Sequence, residues 1–140
     1  MDTRILLIIG VVGFAAIGVA NSIWFGLQLK NYANRTASLE SDLDLFRFKK
    51  MVAKQMYAAL AQIVVLSAPI VIFIAGIMFE ALRGSDIVYV IVPSVVIIIL
   101  GGFFRGWEKH VRSVPAATPE LAEQRDAVVR TWLRKALPDW

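Results

Sequence analysis

From Ile5 to Leu29 the chain runs without a single charged side chain, and it does so again from Met56 to Phe79 and from Ile87 to Phe104. At ~1.5 Å rise per residue, each stretch is about long enough to cross a hydrocarbon layer roughly 30 Å thick as a helix. Hydrocarbon offers no partner to an open N–H or C=O. A segment held there must satisfy its own backbone, and a helix does so where a lone strand does not. That constraint overrides the β-branched character of the third stretch, Ile87 to Leu100, which in water favours strand. Pro69 and Pro93 each remove a backbone donor inside a span, and modest kinks are expected there.

The expected fold class is therefore an all-α integral membrane protein with three transmembrane helices. Apolar residues make up 58% of the chain, above the roughly 45 to 50% of soluble domains. A cleaved signal peptide is the rival reading of the N-terminus, since Arg4 precedes an apolar run and Gly18-Val19-Ala20 resembles a cleavage site. Apolar character continues through Ile23, Trp24, Phe25 and Leu27, past the roughly 7 to 15 residues of a secretory core, so a retained span is expected.

Charge sets the expected orientation. Of the 15 Lys and Arg, all but Arg4 and Arg83 lie in the first loop or the C-terminal tail. Three spans put those two segments on one side, and the positive-inside rule assigns that side to the cytoplasm, with the N-terminus outside. The short connection from Glu80 to Asp86 makes spans two and three an antiparallel hairpin. The expected location is a bacterial cytoplasmic membrane, with anionic headgroups of the bilayer facing the basic segments. Asn34-Arg35-Thr36 matches a glycosylation sequon, but on the cytoplasmic side it is read as chance.

The expected organisation is a three-span domain over residues 1–112, with spans near 5–29, 56–79 and 87–104. Ser41 and Asp44 open an amphipathic, basic lead-in helix over about 41–55. A linker at 113–117 contains Pro115 and leads to a cytoplasmic amphipathic helix at 118–140, with Thr118 as its cap and Pro119 at its first position. Leu121, Val128, Val129, Trp132, Leu133 and Leu137 gather on one side of that helix. They are expected to dock on lipid, on the rest of the chain or on a partner.

Small residues mark expected helix interfaces, because close backbone approach drives association in lipid. Ala15, Gly18, Ser22 and Gly26 form such a stripe on span one, and Ala58, Ala61, Ala68 and Gly76 on span two. The strongest polar groups inside the spans, Asn21 and Gln62, lie at similar distances from the ends of their spans that share one side. They are read as a hydrogen-bonded clasp, or else as part of a pore lining.

The chemistry of catalysis finds little foothold. There is no cysteine, which excludes disulfides and thiolate sites, and a single histidine, His110. No phosphate-binding glycine loop, metal-ligand spacing or nucleophile-and-base constellation is recognisable, and no ionisable side chain lies within a span. Neither a catalytic residue nor a cofactor or metal is expected. The net charge of +4 is not concentrated in an aromatic-interleaved basic stripe, so no nucleic-acid partner is expected. The preferred expectation is a non-enzymatic oligomeric or accessory subunit of a larger membrane complex, acting through helix contacts. The alternative is a homo-oligomeric pore, lined by Asn21, Gln62, Ser67 and Ser94, whose layout is similar in topology alone to three-span phage holins.

Overall fold

The computed structural model describes residues 2–140. Four α-helices follow in order: α1 (Thr3–Arg35), α2 (Asp42–Met78), α3 (Val88–Arg112) and α4 (Pro119–Arg134), with a short 3₁₀ turn at Gly84–Ile87 before α3. No β-strand occurs among the described residues, where the one extended pairing is an isolated parallel bridge between Leu39 and Ala116. Three of the helices are long and apolar enough to cross a membrane. Their large side chains are mostly exposed on the chain's own surface, with Ile98 73% and Val64 66% accessible. Apolar patches of that extent are rare on soluble monomers and natural against lipid tails.

Helix ends follow local chemistry. Ser41 caps α2, its Oγ accepting the Asp44 N–H at 3.3 Å. The Ser41 hydroxyl and the Glu40 N–H both donate to the Asp44 carboxylate, which holds that carboxyl below its ordinary pKa. From there α2 continues without interruption through Met78, so the lead-in and span two are one helix. No glycine, and no proline before Pro69, breaks it before the end of the lead-in. Thr118 caps α4 by accepting the Leu121 N–H at 3.2 Å, with Pro119 at the first position. The helix stops at Arg134, short of the expected run to residue 140, and Lys135 is extended. Pro138 accounts for this, since it disfavours helical geometry at Leu137 and cannot supply a donor itself.

The chain packs as two units. The first comprises Met1–Trp24 with Ala61–Gly102. In it, α1 buries Val11, Ala15, Gly18 and Ser22. The far end of α2 turns sharply: Ala81 and Leu82 both donate to the Gly76 carbonyl, at 2.8 and 2.9 Å, and Glu80 adopts a left-handed φ of 56°. Asp86 then anchors the turn. Its carboxylate takes the Arg83 N–H at 2.9 Å and both Arg4 Nε and Nη2, at 3.1 and 2.7 Å. This two-pronged pair ties the start of α1 to the loop before α3.

The second unit comprises Phe25–Leu60 with Phe103–Trp140. Its core holds Leu29 of α1, Leu45, Phe48, Val52 and Met56 of α2, Val111 of α3 and Leu121 and Val128 of α4. Phe48 and Val52 are completely buried. The loop after α1 and the loop after α3 are joined by backbone pairing, Leu39 N–H to the Pro115 carbonyl at 2.8 Å and Ala117 N–H to the Leu39 carbonyl at 2.9 Å. Arg125 of α4 reinforces the junction by donating to the Val114 carbonyl at 2.6 Å.

Candidate functional site

Within the first unit, Asn21 of α1 and Gln62 of α2 are bonded, the Asn21 Nδ2 donating to the Gln62 Oε1 at 2.7 Å. Small neighbours make the approach possible. A side chain at Gly18 would place its Cβ 3.3 Å from Gln62 Nε2 and 3.1 Å from Ile97 of α3, so the glycine surface is in contact with both helices. Ser22 is buried at 3% exposure one turn along the same face. The Gln62 amide NH₂ is buried without a hydrogen-bond partner.

That asymmetry has a measurable consequence. Asn21→Leu strands both ends of the buried Gln62 amide, whereas Gln62→Leu also removes an unpaired donor. Asn21→Leu is expected to cost on the order of 0.6 to 2 kcal/mol and Gln62→Leu less, read by reversible unfolding in bicelles. Equal losses, or a larger one for Gln62→Leu, would show that the bond contributes nothing selective.

In the second unit Gly26 is the tightest approach. A Cβ there would lie 2.2 Å from Phe104 Cδ2 and 2.4 Å from its Cγ, so the α3 ring lies directly on α1 backbone. Gln55 of α2, 5% exposed, donates to the Phe25 carbonyl at 3.0 Å. Together with Gly18 and Ser22 in the first unit, these contacts place the α1 stripe against the chain's own helices.

On α2 the small residues have different fates. Ala58 is buried, Ala68 half-buried and Ala61 exposed, so Ala61 is not brought to the packed face with Ala58. At Gly76 the nearest neighbour is Leu82, in the turn that follows α2. The glycine's missing side chain makes room for Leu82, whose Cδ1 would be 2.5 Å from a Cβ at that position. Of the expected docking residues on the C-terminal segment, Leu121 and Val128 are buried in the second unit's core, and Val129 and Trp132 pack against it. Leu133 and Leu137 remain exposed, and Leu137 lies beyond the helix end.

Two polar features escaped the sequence reading, and two serines that it named are engaged within their own helices. The Arg4–Asp86 pair joins residues 82 apart, and its signal was available: starts of the first and third spans lie at one boundary in any three-span chain. Gln55 stands one residue before the expected start of span two, and seven before Gln62, on the same helical face. The Ser67 and Ser94 hydroxyls are already occupied, donating to the Val64 and Val90 carbonyls of their own helices at 2.9 and 2.7 Å. Among the described residues, no three His, Asp or Glu side chains converge as a metal would require.

The arrangement therefore supplies packing and polar fastening inside an apolar exterior. No protein-family model, curated protein or solved structure matches the chain.

Proposed function

We propose that this chain is a non-enzymatic subunit of a membrane assembly, held in a bacterial cytoplasmic membrane with its N-terminus outside and its first loop and C-terminus in the cytoplasm. The distribution of Lys and Arg supports that orientation. Lateral contact with other membrane helices is its role in this reading. The observation that carries it is the state of the polar groups within the spans and at the border of the second. Asn21, Gln55, Gln62, Ser67 and Ser94 all spend hydrogen bonds inside the chain, which favours a lateral subunit over a water-lined pore.

Open backbone on α3 adds a surface for such contact. A Cβ at Gly101, Gly102 or Gly106 would meet nothing within 4 Å, and Ile98, Ile99 and Phe103 beside them are exposed. Small residues in that setting let a second helix come close. The C-terminal helix contributes less, since most of its apolar side chains serve the chain's own core.

Cross-linking of the full chain in native membranes, followed by mass spectrometry in lipid, tests the proposal. Wild type is expected in a discrete higher-mass complex, and Gly102→Leu is expected to weaken association by about tenfold while leaving the folded monomer intact. A chain that stays monomeric at every protein-to-lipid ratio, with no cross-linked partner, would overturn it. So would single-channel conductance from reconstituted protein that Asn21→Leu abolishes.

A further inference from the structure

The second unit contains a concave, cationic cleft of about 510 Å³ between the end of α1 and the start of α2. Gln28, Asn31, Tyr32 and Arg35 line it from α1, at spacings of three and four that share one helical face. Arg47, Lys50, Met51 and Lys54 line it from α2 on the same spacing, and Thr36 closes one side. Four of these residues are cations and none is a carboxylate. A smaller neighbouring cavity shares Tyr32, Arg35, Thr36 and Arg47 and carries the acidic side chains Glu40 and Asp44, with Asp44 3.7 Å from Arg47. Arg47 is thus partly balanced, while no ion pair forms at Arg35, Lys50 or Lys54 among the described residues.

The height of the cleft along the chain narrows what would fill it. The uncharged run of α1 ends at Leu29, and that of α2 begins at Gln55. Gln28 and Lys54 stand at these two borders, so the cleft opens where hydrocarbon gives way to headgroups. Its wall is fixed, because the Tyr32 ring packs on the fully buried Phe48 at 6.0 Å between centroids. A volume of this size is within the roughly 300 to 1,000 Å³ of small-molecule sites. Arg35 and Arg47 supply planar forks and Lys50 and Lys54 compact charges, a donor set suited to phosphate oxygens.

From this geometry we infer that the cleft binds the phosphate headgroup of one anionic lipid per chain. Arg35, Lys50 and Lys54 hold the phosphate, the amides of Gln28 and Asn31 are placed to donate to glycerol or ester oxygens, and the acyl chains leave along the apolar helix surfaces. This rests on placement of the chain in a bilayer but not on its having a protein partner.

The test uses the full-length protein in mixed micelles, with bound lipid read by native mass spectrometry on the monomer peak. The probes are dioleoylphosphatidylglycerol, dioleoylphosphatidylcholine, and glycerol 3-phosphate and inorganic phosphate as soluble sources of the same group. Wild type is expected to retain one phosphatidylglycerol with about a tenfold preference over phosphatidylcholine, and the soluble anions are not expected to displace it. Arg35→Gln/Lys50→Gln/Lys54→Gln should abolish the preference. Lys109→Gln/Arg130→Gln/Arg134→Gln, which removes the same charge from exposed positions elsewhere in the second unit, should keep it.

Equal loss in both triple variants would overturn the site in favour of general charge attraction. Displacement by glycerol 3-phosphate or inorganic phosphate would overturn the lipid assignment, and absence of any preference in wild type would overturn both. Circular dichroism and the thermal midpoint in lipid-free detergent check folding. Should the triple variant unfold, Lys50→Gln and Lys54→Gln singly are each expected to lower the preference severalfold, and an unchanged preference in both would count against the site. A protein that proved monomeric in membranes would leave this measurement intact.

Discussion

Phe48→Ala is expected to release the C-terminal helix from the second unit, at a cost of about 3 to 5 kcal/mol. The ring is completely buried, touches Tyr32 and stands in the cluster that takes up Leu121 and Val128 of α4. Its position on α2 precedes Lys49, Lys50 and Lys54, outside the uncharged span, so the alternative to burial for this ring is water and the energetics of aqueous cores apply. Hydrogen exchange should accelerate at the Leu39 and Ala117 amides, whose pairing depends on the two loops staying packed. Trypsin should cut sooner at Arg125, Arg130 and Arg134. Phe48→Leu keeps most of the volume and should recover much of the protection. Unchanged exchange at both amides in Phe48→Ala would mean that the cluster does not hold α4.

Gly26→Leu should be the most damaging single change within the spans. Even the first carbon of a new side chain would overlap Phe104, and the overlap reaches the root of the ring at Cγ, so a ring flip gives no relief. The Phe104 side chain must leave its rotamer, or α3 must retreat. Overpacking of this kind costs about 1 to 3 kcal/mol and occasionally more, and in lipid it also forfeits the close helix contact that drives association. Gly13→Leu and Gly101→Leu, where a Cβ meets nothing within 4 Å, should leave folding nearly unchanged. Pairing Gly26→Ala with Phe104→Ala should restore part of what Gly26→Ala loses, read by steric-trap unfolding in bicelles. If the two losses simply add, the contact is not the cause.

Much of the fold was legible because lipid makes a simple demand of sequence. An uncharged run of the right length has one way to satisfy its backbone, and the three long helices follow from that alone. Periodicity also carried information beyond the small residues. Buried positions on α2 recur at Phe48, Gln55, Gln62, Pro69 and Gly76, each seven apart, as expected for helices packed at shallow angles. Ala61 falls off that face, which explains its exposure, and Gly76 falls on it but meets Leu82, because the chain reverses there.

What was illegible depends on partners distant in sequence. Three-span topology brings Arg4 and Asp86 to one boundary, but nothing local marks the one as the other's acceptor, or Leu39 as the residue that pairs with the Pro115 to Ala117 segment. The same holds for the face of α4. An apolar stripe reads identically whether it meets lipid, a partner or its own chain, and only the cluster around Phe48 distinguishes them.

The pairing of Leu39 with the segment around Ala116 also orders events on the ribosome. Leu39 is synthesised before spans two and three exist, and its N–H and C=O wait for a strand-like stretch that emerges only after both. At ~5 to 20 residues per second, that wait lasts several seconds. Throughout it the nascent first loop has no mate, and Phe48 lacks the part of its shelter that α4 later supplies. Synthesis of the end of α3 and of α4 is thus the step that delivers the missing half of the second unit, and a translational stall before it would leave an unfinished apolar surface open to chaperones and proteases.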